Sequence, residues 1–170
     1  MPPFHIRHAM PADTDAIFAL VHELAVYEKL ADEVDATPPS LGEALFCDHP
    51  RVFCDIALVD DTPVGIAIWF YTFSTFRGRH GIWLEDLYVQ PAFRGRGIGK
   101  ALLSGLAERC VTENLARLDW SVLDWNAPSI AFYQAMGAKL MDAWTSCRCE
   151  GDALKGLASG ALKLSDAPQT

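Results

Sequence analysis

The sequence predicts a single α/β domain, and three observations carry that prediction. Segments of strand character alternate with segments of helical periodicity along most of the chain. A glycine-rich run, Arg94-Gly95-Arg96-Gly97-Ile98-Gly99-Lys100, joins a stretch rich in β-branched and aromatic residues to one with apolar residues at helical spacing. No repeat, linker or shift of composition divides the 170 residues, and a hydrophobic content of 51% is enough for one full core and too high for disorder. The expected domain runs over 1–170, with a core at about 4–150 and a partly flexible tail.

The elements follow in order. Residues 4–8 read as a first strand, and Asp13 is placed to cap a helix whose Ile17, Leu20, Val21, Leu24 and Tyr27 share a face. Pro38-Pro39-Ser40 breaks the chain ahead of a short helix through Leu41, Leu45 and Phe46. Residues 52–59 and 64–73 flank Asp60-Asp61-Thr62-Pro63 as an antiparallel hairpin. Residues 77–81 form a loop into a strand at 82–89, the glycine-rich run opens a helix, and 117–123 is a further strand. Asn126-Ala127-Pro128 starts another helix, since asparagine caps and proline is tolerated in the first turn; Gly137 ends it. Residues 139–150 are expected to supply one or two strands, and 166–170 to fray.

Charge and cysteine usage bound the function. A net charge of −8 argues against nucleic acid as a principal partner and suits a cationic substrate. No apolar stretch approaches the ~18 residues that span a bilayer, and Met1-Pro2-Pro3-Phe4-His5-Ile6-Arg7 lacks the character of a signal peptide. A cytoplasmic protein without a membrane partner is expected. Cys47, Cys54, Cys110, Cys147 and Cys149 have no framework spacing and are expected to be reduced and mostly buried, the last two on one face of a strand. Neither they nor the five histidines show metal-ligand spacing, so no metal is expected.

The glycine-rich run carries the chemistry. Glycines at 95, 97 and 99 allow close backbone approach and positive φ. A helix starting there aims unpaired N–H groups and its positive dipole end into the loop, beside Arg94 and Arg96. The result is an anion cradle fit for a pyrophosphate. A P-loop is excluded because Ala101, without a hydroxyl, follows Lys100. A dinucleotide fingerprint is excluded because the glycines are spaced two and two. An ordinary glycine-rich turn is the alternative.

What remains is Arg-x-x-Gly-x-Gly, with the arginine at 94 and the glycines at 97 and 99. It resembles the acetyl-CoA pyrophosphate loop of the GCN5-related N-acetyltransferases (GNAT), whose element order the chain also follows. Leu84-Glu85-Asp86-Leu87-Tyr88-Val89, the glycine loop, Trp125-Asn126-x-Pro128-Ser129-Ile130-x-Phe132-Tyr133 and Glu23-Leu24-Ala25-x-Tyr27-Glu28 are similar to the diamine (spermidine/spermine) N-acetyltransferase subgroup. The resemblance spans 4–137 and implies a mixed, mostly antiparallel sheet flanked by helices.

It also implies roles. Acetyl-CoA is the expected cosubstrate, its arm pairing with the backbone of Leu87, Tyr88 and Val89, with an N–H of Leu87 or Tyr88 meeting the thioester oxygen. The pyrophosphate is expected on Arg94, Gly95, Arg96, Gly97, Ile98, Gly99 and Lys100. Asn126, Ala127, Pro128 and Ser129 line the other wall. Tyr133, one helical turn after Ser129, is the expected general acid and a cosubstrate contact, a core tyrosine being the alternative. Glu85 is the expected base, direct or through water, and Asp86 an acceptor contact. Strand alternation puts those two on opposite faces unless a bulge intervenes, and a salt bridge to Arg77 or Arg79 is the alternative. Tyr27, Glu28, Asp119, Trp120 and Ser121 complete the expected acceptor site; a solvated face explains Glu28 equally well, and a core role explains Trp120 better than packing on a cation. The implied activity is acetyl transfer by direct attack in a ternary complex to a small primary amine, a polyamine or lysine-like compound, by a homodimer. A protein or peptide amine acetyltransferase and a non-catalytic CoA-sensing module are the alternatives.

Overall fold

The computed structural model describes residues 3–160, and the chain resolves into two compact units, Met1–Ile130 and Ala131–Thr170. In the first, β1 (Phe4–His8), β2 (Phe53–Val59), β3 (Thr62–Ser74), β4 (Arg79–Val89) and β5 (Leu118–Trp120) form one sheet in sequence order. The first four run antiparallel, and β5 joins β4 in parallel. The hairpin between β2 and β3 closes at the pair Val59↔Thr62, with Asp60 and Asp61 at φ 47° and 61°. A two-residue turn of that hand needs two left-handed residues, which aspartate tolerates better than most.

Helix α1 (Thr14–Glu28) and helix α2 (Pro38–Phe46) cover one face of the sheet. Ile17, Leu20 and Leu24 of α1 and Leu45 of α2 pack against Ile56, Leu58, Ile66, Ile68 and Tyr88. Helix α3 (Ile98–Thr112) covers the other face. A Cβ on Gly65 would lie 3.6 Å from Ile98, whereas Ile66, the next residue, faces α1. Ile98, Leu102 and Leu106 of α3 are fully buried. Burying apolar area on both faces holds the sheet at roughly 25 cal/mol per Å².

Several expectations are corrected. Asp13 does not cap α1 with its side chain. Its carboxylate instead takes Arg7 in a two-point ion pair at 2.7 and 2.9 Å and the Met10 N–H at 2.7 Å, a stronger set of bonds than one cap. Pro38 and Pro39 lie inside α2, in the first turn where a missing N–H costs nothing, and Thr37 caps it by accepting the Ser40 N–H. The expected loop at 77–81 is partly strand, because β4 begins at Arg79, and β5 spans three residues instead of seven.

Helix α4 (Ala127–Ala135) begins as expected, with Asn126 Oδ1 accepting the Ser129 N–H at 3.3 Å. In the second unit Gly137, at φ 90°, follows the end of α4. Its N–H bonds Gln134 O, while that of Ala138 bonds Tyr133 O, a Schellman closure. The expected strands at 139–150 do not form; that stretch is exposed, and a helix α5 (Gly151–Ser159) follows it. Cys147 and Cys149 therefore lie on no strand. All five cysteines are free, and of them Cys54 alone is buried, against the expectation that most would be. The expected fraying at 166–170 lies outside the described residues.

Candidate active site

The site begins where β4 and β5 part. Their parallel pairing runs from Ile82↔Leu118 to Leu84↔Trp120, while β4 continues to Val89. Gln90 N–H donates to Val64 O, so the backbone of Gln90 faces β3. Strand alternation turns the backbone groups of Val89 and Leu87 the other way, onto the edge that β5 has left. Arg94 Nε donates to Val89 O at 2.9 Å. The Tyr88 carbonyl faces β3, where a Cβ on Gly65 would come within 2.9 Å of it.

The bulge on which the acidic pair turns is present. Ile68 pairs with Asp86 and Trp69 with Leu84, which leaves Glu85 as the extra residue of β4. Leu84 shares the α3 face with Trp69, whose ring lies beneath Arg109 of α3, whereas Asp86 shares the α1 face with Ile68. Residues two apart would otherwise share a face. Glu85 is exposed and accepts Trp83 Nε1–H at 2.8 Å. Burial pushes the Asp86 carboxyl up to about 6, and the charges of Glu85 and Glu28 push the same way. Burial also raises Glu28, at the end of α1. Asp86 thus lies within reach of the charges of both Glu85 and Glu28. The alternative partner Arg79 bonds Asn114 Oδ1 instead.

Beyond β4, a turn at Pro91–Phe93 leads into the glycine loop. Gly95 and Gly97 sit at φ 75° and 83°, where an L side chain is strained, and open space surrounds both. The first bond of α3 joins Ala101 N–H to Gly97 O, so the amides of Ile98, Gly99 and Lys100 point out of the helix end. Arg96 stacks over Phe93 at 5.4 Å. Arg94 lies over the rings of Tyr27 and Tyr88 at 5.0 and 5.6 Å. Tyr27 in turn donates its hydroxyl to Asn126 Oδ1 at 3.1 Å, the atom that also caps α4.

A strand edge, an amide cradle at a helix start and an acidic pair on β4 with Glu28 of α1 are features of fold and chemistry shared with known proteins. A model of the acetyltransferase (GNAT) family matches residues 18–138. The chain belongs to the GNAT acetyltransferase family. It is 35% identical, over 90% of its length and 96% of the relative's, to thialysine N-epsilon-acetyltransferase of Bos taurus. It is 34% identical, over 81% of its length and 21% of the relative's, to spermidine/spermine N(1)-acetyltransferase-like protein 1 of Homo sapiens. A solved integron cassette protein from the mobile metagenome of V. cholerae superposes with a TM-score of 0.76 at 28% identity, covering 91% of this chain and 97% of that one. This GNAT chain is an acetyltransferase, and its mixed five-stranded sheet is the GNAT fold.

GNAT acetyltransferases use acetyl-CoA as cosubstrate, and the residues present fit it. The outward amides of Ile98, Gly99 and Lys100, and a loop held open by glycines at positive φ, suit a pyrophosphate. The β4 edge offers the backbone of Leu87 and the N–H of Val89 to an amide-bearing arm, the Val89 carbonyl being held by Arg94. Of the expected acceptor residues, Asp119 is ion-paired with Arg117, Trp120 closes β5 opposite Leu84, and Ser121 is exposed just past it. Ala127 and Pro128 form the exposed first turn of α4, and Ser129 is half-buried. Tyr133, in the second unit, is half-buried with its ring 5.3 Å from that of Phe132. Sequence reasoning missed Gln90 and Trp83 and gave Glu23 no role. Glu23 bridges α1 and β4, and its place in the Glu-Leu-Ala-x-Tyr-Glu stretch was the available signal.

Proposed function

We propose that this chain transfers the acetyl group of acetyl-CoA to the primary amine of a small cation, a polyamine or a lysine-like amino acid. The observation that carries the acceptor class is the convergence of Glu28, Glu85 and Asp86 where β4 leaves β5. Similarity to a thialysine N-epsilon-acetyltransferase and to a spermidine/spermine N(1)-acetyltransferase-like protein supports it. Three carboxylates attract a dication and discriminate against an anionic acceptor.

An alkylammonium, with a pKa of ~10.4, must lose a proton before it attacks. Glu85, on the bulge, is the proposed acceptor of that proton. Asp86 beside it, ionised above about 6, anchors the amine and keeps the pair basic at neutral pH. Bound acetyl-CoA supplies an activated thioester carbonyl. The Leu87 N–H, rather than that of Tyr88, is the proposed donor to the thioester oxygen, because alternation turns Leu87 to the open edge. The helix amides and Arg96 hold the pyrophosphate. Tyr133 Oη is the proposed proton source for the departing thiolate, on the resemblance of Phe132-Tyr133 to the diamine subgroup. The reading includes one acetyltransferase domain over 1–170 and a cytoplasmic setting, both on the sequence pattern, and a homodimer, on the resemblance.

The test is acetyl-CoA-dependent thiol release against spermidine, diaminopropane, lysine, thialysine and a lysine peptide, with calorimetric binding of acetyl-CoA alongside. Release with one small amine establishes the reading and names the acceptor. Release with the peptide alone overturns the acceptor class, and binding without any release favours a sensory module.

A further inference from the structure

We propose that Glu23 is a positioning residue for the cosubstrate edge of β4, an inference that rests on the acetyl-CoA reading above. Glu23 lies on α1 and commits both carboxylate oxygens to the end of β4 and the residue that follows it. The Tyr88 hydroxyl donates to Oε2 at 3.1 Å, and Gln90 Nε2 donates to Oε1 at 2.9 Å. Tyr88 and Gln90 are two apart, so both side chains project toward α1 and the backbone of Val89 between them turns to the open edge. Arg94 takes the Val89 carbonyl there and also rests on the Tyr88 ring that Glu23 holds.

One bond would leave the end of β4 free to swivel about it. Two bonds from one planar carboxylate fix the tilt of residues 88–90. That tilt sets the direction of the exposed Leu87 and Val89 groups, and the level of the platform under Arg94. Glu23 touches none of the reacting groups; it acts through Tyr88 and Arg94 on the mouth of the cradle. Burial, and then the bond to Glu23, raise the Tyr88 phenol, so the donor keeps its proton across the pH range in which an amine acetyltransferase works.

This role predicts a split between the two substrates that general destabilisation would not produce. In Glu23→Ala, Kd and KM for acetyl-CoA rise by about tenfold while KM for the amine stays within about twofold. Glu23→Gln keeps an oxygen for one of the two donors and recovers part of the loss. Glu23→Ala costs less in a Tyr88→Phe background than in the wild type, because the pathway through Tyr88 is already cut. Calorimetric acetyl-CoA binding, steady-state kinetics in both substrates and thermal unfolding are measured on the full chain. A folded Glu23→Ala that binds acetyl-CoA as the wild type does, or that raises both KM values alike, overturns the proposal. Where Glu23→Ala does not fold, Tyr88→Phe and Gln90→Leu each remove one bond and must each weaken acetyl-CoA binding by about two- to fivefold; unchanged binding in both overturns it. Wild-type protein that binds no acetyl-CoA instead refutes the underlying reading, so the two failures are distinct.

Discussion

At the scale of the residue, Asp86 couples activity to stability. Its carboxyl lies near 6 in the folded chain against 3.8 when unfolded, so the folded state binds the proton more tightly. The stability tied to that proton is complete below about 3.8 and is lost as pH rises through about 6. Asp86→Asn should therefore be more stable than the wild type at pH 8, by up to about 3 kcal/mol, with the gap closing toward pH 4. Urea unfolding at the two pH values checks this. The same variant should lose the rise of kcat/KM through pH 6. Glu85→Gln should lower kcat by on the order of a hundredfold or more with acetyl-CoA affinity unchanged, as loss of a general base does. Tyr133→Phe should likewise lower turnover and spare binding; unchanged turnover, where chemistry limits the rate, removes the tyrosine as the acid.

At the scale of the element, the cradle depends on backbone that accepts no side chain. Gly97→Glu adds strain at φ 83° and a negative charge at the helix end, and should weaken acetyl-CoA binding by on the order of a hundredfold while α3 stays folded. Isothermal titration checks it against circular dichroism. This loop was legible in the sequence because glycine spacing and the strand-to-helix switch are local signals. The caps at Asn126 and Gly137 were legible for the same reason. The bulge at Glu85 was not. A period of two describes one strand, and a bulge is a miscount between two, so whether Glu85 and Asp86 oppose each other depends on β3. Asp13 was misread similarly, since a cap is judged on the three residues that follow it and its partner Arg7 lies six residues back, across a turn on β1.

At the scale of the molecule, the charge of −8 and the acidic trio draw a small cation toward the site. For a dicationic acceptor, kcat/KM should fall severalfold between about 20 and 200 mM salt, as screening shortens the reach of that field, while a singly charged amine of similar size falls less. The succession of strands and helices along most of the chain and the hairpin were readable ahead of the structure. The stretch at 139–150 was not, because its apolar residues supply the pattern of a strand without specifying a neighbour to pair with, and Met141 and Trp144 stay exposed.

The parting of β4 from β5 also matters to a protein at high concentration. An uncovered run of strand backbone is a template that any extended chain can join, and sheet proteins aggregate through such edges. In this fold the edge cannot be blunted by a lysine or a proline without losing its use. Colloidal safety therefore passes to the molecule that fills the groove. Heated or concentrated protein should scatter less light when saturated with CoA than without it, beyond the shift in its unfolding temperature, so acetyl-CoA supply would govern how long the enzyme survives as well as how fast it works.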